Sequence, residues 1–357
     1  MGETVTDFRT FLTGRREPAV AMQPVIDPAG WEAASLGAVE HWSYELTQQE
    51  QDELVSAVAA FRHTELSRVD VSREAFPLGK LAGVLGDAHR ELNEGRGMVM
   101  LRSFPVNRLD LEGKAIGFMG LGCYLGERMV QNRHGHVLGH VKDLGLDYTT
   151  TGRAYNTRAD LRFHADSCDY VALLCLQASK SGGESRVVSS VTVYNTMLKR
   201  RPDLAKVLTE DFYRSMGVDK DPNDTPWYKQ PVFVFEQGYF SAAAVGASID
   251  KAEKLPGVPP LTLAQKEAVT YYRDLVSELA ADIPFKPGDV QILNNFVMLH
   301  SRREFEDWPE LHRRRHLLRL WIRDMGSRPI PDSIRNGRSG SGIKITGLAP
   351  TAPLDAE

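Results

Sequence analysis

"LRFHADSCDYVALLCLQASKSGGESRVVSS" spans Leu161 to Ser190, and there the chain changes character. Before it, apolar residues recur at helical spacing. Within it they form short runs broken by Gly and Ser, the pattern of buried strands and turns. "DYVALLCLQAS" (169–179) reads as one such strand, and ahead of it stand His164, Ala165 and Asp166. On a strand, residues i and i+2 point to the same face, so His164 and Asp166 are placed to chelate one ion. The same spacing occurs at His63/Glu65 and His89/Glu91. Those pairs lie in helical patterns, where two residues mean about 200° of rotation and the side chains diverge. We read both as surface polar residues.

Further strands follow: a hairpin in "QPVFVFEQGYFSA" (230–242), then "FKPGDVQILNN" (285–295) after a Pro-Gly turn, and "RHLLRLWIRDM" (315–325). Helices over about 192–209 and 262–280 interrupt them. Upstream, residues 1 to about 45 are irregular. "TQQEQDELVSAVAAFRHTEL" (47–66) is a helix behind a Thr47 cap with Glu50 three residues on. A second helix covers about 78–93 and ends at Gly95, "GMVMLRSFPV" (97–106) is a buried strand, and "LEGKAIGFMGLGCYLG" (111–126) is a helix unusually rich in small residues. Helices first and many non-adjacent strands later predict a β-sandwich or barrel dressed with helices. The expected division is an N-terminal extension (1–95), a catalytic segment (96–330) and a mobile tail (331–357) marked by "RNGRSGSG" (335–342).

Composition narrows the function. The 357 residues are 42% hydrophobic and 25% charged, ordinary for a soluble globular chain. A net charge of -4 gives no reason to expect nucleic acid or an anionic membrane as partner. No run approaches the roughly 18 apolar residues of a membrane span, and the N-terminus lacks the pattern of a secretory signal. Three cysteines without a Cys-x-x-Cys pair point to a reducing, cytoplasmic setting. No heptad seam marks an oligomer interface.

An iron site of the two-histidine-one-carboxylate type needs a second histidine. The candidate is His300 in "VQILNNFVMLHSRREFEDWPELHRRRHLLRLWIR" (290–323), just after an apolar strand. Arg313, Arg314 and Arg315 follow, then Arg319 within the apolar run Leu317–Trp321. A buried arginine is costly unless paired, and the distal carboxylate of a dicarboxylate ligand would pair it. Arg313 and Arg314 read as solvated charge, Phe296 and Trp321 as core, and Cys168 as a buried structural thiol. A competing metal site is "NRHGHVLGH" (132–140), with His134, His136 and His140. Its His-x-His spacing suits a cupin-type metal dioxygenase that does without 2-oxoglutarate, although His140 stands where that pattern wants Glu. Gln131 and Asn132 are alternative contacts for cosubstrate or substrate.

These residues together resemble the TauD/TfdA (clavaminate-synthase-like) family of Fe(II)- and 2-oxoglutarate-dependent dioxygenases. "SGGES" (181–185) resembles the family's Gly-Gly-acid-Thr/Ser segment, "PGD" (287–289) leads through "NN" to the distal histidine, and "RRHLLRLW" (314–321) resembles its C-terminal block. The resemblance covers roughly 95–329. It implies a double-stranded β-helix (jelly-roll) core flanked by helices, with His164, Asp166 and His300 as Fe(II) ligands. It implies Arg315 as the main anchor of the 2-oxoglutarate C5 carboxylate, helped by the Ser185 hydroxyl, with Arg319 reaching cosubstrate or substrate. The implied reaction consumes 2-oxoglutarate and O2, releases succinate and CO2, and most simply hydroxylates a small organic substrate. Asp166 argues against a halogenase, which would carry Ala there. A non-catalytic binding member of the fold is the remaining alternative. Loops near 131–156 and 212–260, with Tyr155, Trp227, Tyr228 and Phe240, leave room for an apolar or aromatic substrate group, and the 230–242 hairpin reads equally as lid or plain edge.

Overall fold

A computed structural model of the protein describes residues 14–39, 42–145, 157–217, 225–324, 329, 334, 343 and 347–355. Strand formation follows the apolar runs. Tyr170–Gln177, Val290–Asn294 and His316–Arg323 are almost wholly buried, as strands covered on both faces must be. They form the middle of a seven-stranded sheet, ordered Ser43–Glu45, Met98–Arg102, Val290–Asn294, Tyr170–Gln177, His316–Arg323, Glu127–Arg128, with Gly139–Lys142 also paired to His316–Arg323. Only the Ser43–Glu45/Met98–Arg102 pairing is parallel. A four-stranded antiparallel sheet contains Ala281–Ile283, Ser185–Ser189, Met298–Arg302 and Leu161–His164. From residue 281 onward successive long strands alternate between the sheets: 281–283, 290–294, 298–302, 316–323. Each sheet therefore receives its neighbours from distant parts of the chain.

Helices cover the larger sheet. Gln48–Arg62 begins at a capping box in which Thr47 and Glu50 bond each other's backbone N–H. Lys80–Glu94 packs on Met98–Arg102 and Val290–Asn294, and Leu111–Cys123 packs on His316–Arg323. The small residues of that last helix are explained by closeness. A Cβ at Gly120 would lie 2.4 Å from Phe76 Cε1, and one at Gly122 2.7 Å from Leu320 Cδ1. Neither separation is compatible with a methyl group.

Several expectations change in detail. The helix expected over 47–66 ends at Arg62, so His63 is its C-cap and Glu65 lies beyond it. Glu91 is not a surface residue: it is 2% exposed, and burial pushes its carboxyl up to about 7. Its partner His89 bonds Asp324 through Nε2 at 3.1 Å. The helical stretch after 190 is two helices, Ser190–Arg200 and Pro202–Val207, with Pro202 opening the second. Phe240 belongs to an aromatic core group with Tyr194, Phe233 and Phe235, and Trp227 stacks edge-on against Tyr213. Tyr155 lies outside the described residues. The hairpin forms with strands Phe233–Glu236 and Tyr239–Ala242 around Gln237-Gly238, both at positive φ (49° and 78°), as a tight primed turn requires. In the segment expected to be a mobile tail, Ile334, Ile343 and Ala352 are buried, and Thr351 bridges to His136. Among the described residues no helix is long and apolar enough to cross a membrane.

Candidate metal centre

The four-stranded sheet brings the two histidines together. Leu161–His164 pairs antiparallel with Met298–Arg302 so that His300 sits directly opposite His164, where cross-strand side chains share a face. Their ring centroids are 4.2 Å apart. Asp166, just past the strand, completes a group whose candidate ligand atoms all lie within 4.8 Å of one another. It is the one such group of three among the described residues.

Each member is oriented by its surroundings. His164 Nδ1 lies 2.9 Å from the Arg162 carbonyl, which accepts its proton and leaves Nε2 as a lone-pair donor facing Asp166 Oδ1 at 3.9 Å. Asp166 Oδ2 accepts the indole N–H of Trp321 at 2.9 Å and an Arg319 Nη1–H at 3.4 Å. The Asp166 backbone N–H donates to Asn295 Oδ1 at 3.1 Å. Burial works to raise the Asp166 carboxyl, but Arg319, His300 and His164 outweigh it and hold the group below the usual carboxylate range. Burial and the neighbouring His164 push His300 down to about 3. At neutral pH the group is therefore one carboxylate and a neutral His300, with His300 Nδ1 buried and without a hydrogen-bond partner. A divalent iron fits this donor set: two imidazoles and a carboxylate at chelating separations, with an open side.

A pocket adjoins the cluster, lined by His164, His300, Ser185, Arg302, Arg315 and Arg319 among others. The Gly-Gly segment packs close behind Arg315, one of the lining residues. Gly182 and Gly183 both take positive φ (69° and 78°), and a Cβ at 182 would lie 2.4 Å from the Glu304 carbonyl oxygen. One at Gly183 would lie 3.3 Å from Arg315 Nε. Ser185 is buried and its Oγ donates to Gln291 Oε1 at 2.7 Å.

The two candidate arginines differ in their partners. Arg319 Nε donates to Gln131 Oε1 at 2.8 Å, and its Nη1 reaches Asp166. Arg315 is 5% exposed, its backbone N–H donates to Asp307 Oδ1 at 2.7 Å, and no ion pair among the described residues uses its guanidinium. Gln131 spends its amide N–H groups on the Val137 and Arg319 carbonyls, so it is a strut for Arg319. The competing histidines do not converge: His134 is exposed, His136 bonds Asn132, and His140 bonds His316 and the Pro353 carbonyl. Reading the sequence missed two residues. Trp321 is core, as expected, but also orients Asp166, and Asn295 ties Asp166 to Cys168 by accepting from one and donating to the other's carbonyl. Only the Asn-Asn step ahead of His300 was a signal for the second.

His316 carries a prediction. Burial beside His140 pushes it down to about 3, against an ordinary value near 6.5. Between those values the unfolded chain binds a proton that the folded chain refuses, so stability falls as pH falls through that window. His316→Gln, which cannot titrate, should make the urea midpoint less sensitive to acidification from about pH 7 to about pH 5, as the linkage slope requires.

A two-histidine-one-carboxylate cluster beside an arginine-lined pocket defines a mononuclear non-haem iron oxygenase class. The family described as "Taurine catabolism dioxygenase TauD, TfdA family" matches residues 62–321, and the chain belongs to it. It is an Fe(II)- and 2-oxoglutarate-dependent dioxygenase. The chain is 28% identical over 331 residues to FR-33289 synthase of Streptomyces rubellomurinus, covering 90% of this chain and 96% of that one. It is 30% identical over 315 residues to a taurine hydroxylase-like protein of Stachybotrys chartarum, covering 82% of this chain and 78% of that one. A structure of asparagine oxygenase with Fe(II), 3-hydroxyasparagine and succinate superposes with a TM-score of 0.62 at 17% identity, over 79% of this chain and 93% of that one, and so shares the fold.

Proposed function

We propose that His164, Asp166 and His300 hold the Fe(II), and that Arg315 with Ser185 holds the distal carboxylate of 2-oxoglutarate, for hydroxylation of a small organic substrate. The observation that carries this reading is the register that sets His300 opposite His164, beside Asp166 and the arginine-lined pocket. When bound, iron and 2-oxoglutarate supply the activation of O2 that oxidises a substrate C–H bond, yielding succinate and CO2. The chain's own residues position and exclude. Arg162 fixes the His164 tautomer, Trp321 and Arg319 fix the Asp166 carboxylate, and apolar Leu161, Leu173 and Phe285 line the pocket. The proposed core is a jelly-roll, supported by the alternation of strands between the sheets. Segments 1–95 and 331–357 would serve the catalytic segment 96–330, supported by the edge strand Ser43–Glu45 and the buried Ile334 and Ile343. A cytoplasmic setting is supported by three free cysteines.

The deciding experiment is an anaerobic titration of metal-free protein with Fe(II) and then 2-oxoglutarate, following visible charge-transfer absorption of the chelate. Absorption that appears in the wild type and is missing in His164→Ala is the expected result. Iron binding without any spectral response to 2-oxoglutarate would overturn the reading.

Arg319 is proposed as a positioning residue for Asp166 because its Nε and Nη1 are already engaged. Arg319→Met should weaken Fe(II) binding by about 10–100-fold, the usual effect of losing a ligand's supporting contact. If iron affinity holds while 2-oxoglutarate affinity collapses, Arg319 belongs to the cosubstrate pocket instead.

A further inference from the structure

Arg302 has a buried guanidinium that nothing assigned so far uses. It lies two residues beyond His300 on the same strand and is 4% exposed. Its Nη2 donates to the Ala159 carbonyl, while Nε and Nη1 are buried without a hydrogen-bond partner. Among the described residues no ion pair uses it. In the antiparallel register Arg302 stands directly opposite Ser185, and cross-strand partners project from the same face. Both line the pocket that also holds Arg315. The ring of Phe305 lies beside both guanidinium groups, with its centroid 4.7 Å from Arg302 Cζ and 5.3 Å from Arg315 Cζ.

Two cationic side chains thus enter one pocket, and neither guanidinium is in an ion pair among the described residues. Guanidinium groups stay protonated at neutral pH, so the pocket holds two like charges, and Nε and Nη1 of Arg302 lack an acceptor. Such an arrangement is costly unless an anion completes it.

We propose that Arg302 is a second cationic contact for the distal carboxylate of 2-oxoglutarate, which is held between Arg302 and Arg315 with Ser185 alongside. This rests on the assignment of the pocket to 2-oxoglutarate. Two donors on opposite sides of one carboxylate would fix its orientation as well as its charge, since each guanidinium reaches a different oxygen or lone pair. The consequence is strong selection for a 2-oxo acid with a negative charge at its far end.

The experiment compares two probes on the Fe(II)-loaded protein without O2, by calorimetry: 2-oxoglutarate, and 2-oxopentanoate, which keeps the oxo acid but ends in a methyl group. Wild-type protein should strongly prefer 2-oxoglutarate. Arg302→Gln should reduce that preference by about tenfold or more, the scale of one charge-assisted hydrogen bond, and leave 2-oxopentanoate binding nearly unchanged. An unchanged preference overturns the proposal, and so does an equal loss for both acids, which marks a merely structural role. Should Arg302→Gln not fold, Arg302→Met keeps the stem against Phe305 and carries the same ratio test. If the wild type binds neither acid, the assignment of the pocket itself falls, and this proposal with it.

Discussion

His164→Ala should fold with an unchanged thermal midpoint and bind no Fe(II) under conditions that saturate the wild type. His164 has a side chain 31% exposed, and it is held by one hydrogen bond, from Nδ1 to the Arg162 carbonyl, with its ring beside that of His300. Little packing is lost when it is cut back, so the effect falls on the metal. Removal of a contact that merely supports a ligand costs about 10–100-fold in metal affinity, and removal of a ligand should exceed that. Asp166→Ala should differ in a measurable way. Its carboxylate accepts from Trp321 and Arg319 in the interior, so alanine removes the buried negative partner of Arg319 and the acceptor of the Trp321 indole N–H. Removing one partner of a buried charge pair costs about 3–5 kcal/mol. Asp166→Ala should thus lose both iron and stability, whereas His164→Ala loses iron alone. Metal content after dialysis and a thermal melt on each variant test this together. Retained iron in either variant would remove that residue from the ligand set.

The second large effect is expected at Arg315. Arg315→Met should raise the 2-oxoglutarate requirement by roughly a hundredfold, since hydrogen bonds to a charged group contribute about 1.5–3 kcal/mol each and about 2.7 kcal/mol corresponds to that factor. Iron affinity should be nearly unaffected, because the contacts of Arg315 run to Asp307, through the backbone, and to the Phe305 ring, and not to the three cluster residues. Anaerobic binding of 2-oxoglutarate and of Fe(II), measured separately, distinguishes this from the Arg319 variant, where the larger loss falls on iron. Reversal of the two patterns would exchange the proposed roles of the arginines.

Those roles mark where reading the sequence stops. Arg315 and Arg319 are four residues apart, so strand periodicity points both to one face, and nothing local separates them. What separates them is Gln131 and Asp166, which arrive beside Arg319 from other strands and loops. Glu91 was misjudged for a related reason. Helical spacing correctly made its side chain diverge from His89, but it could not tell that this face of Lys80–Glu94 turns inward, where Glu91 accepts from the Arg96 backbone. Arg302 shares strand parity with His300, but local spacing carries no sign that its guanidinium is buried opposite Ser185.

By itself the sequence determined the strands and helices of the centre of the chain, the capped start of the helix at Thr47, and the placement of His164 and Asp166 on one face. These depend on local spacing: a period of two for strands, about 3.6 for helices, and polar residues that need a reason to sit beside apolar runs. The tertiary structure decided which distant residue stands opposite which: His300 against His164, Ser185 against Arg302, Trp321 and Arg319 on Asp166. Strand register between segments more than a hundred residues apart is set by the packing of two whole sheets. Short-range patterns carry no record of it, so the electrostatics of the site became legible only in the folded chain.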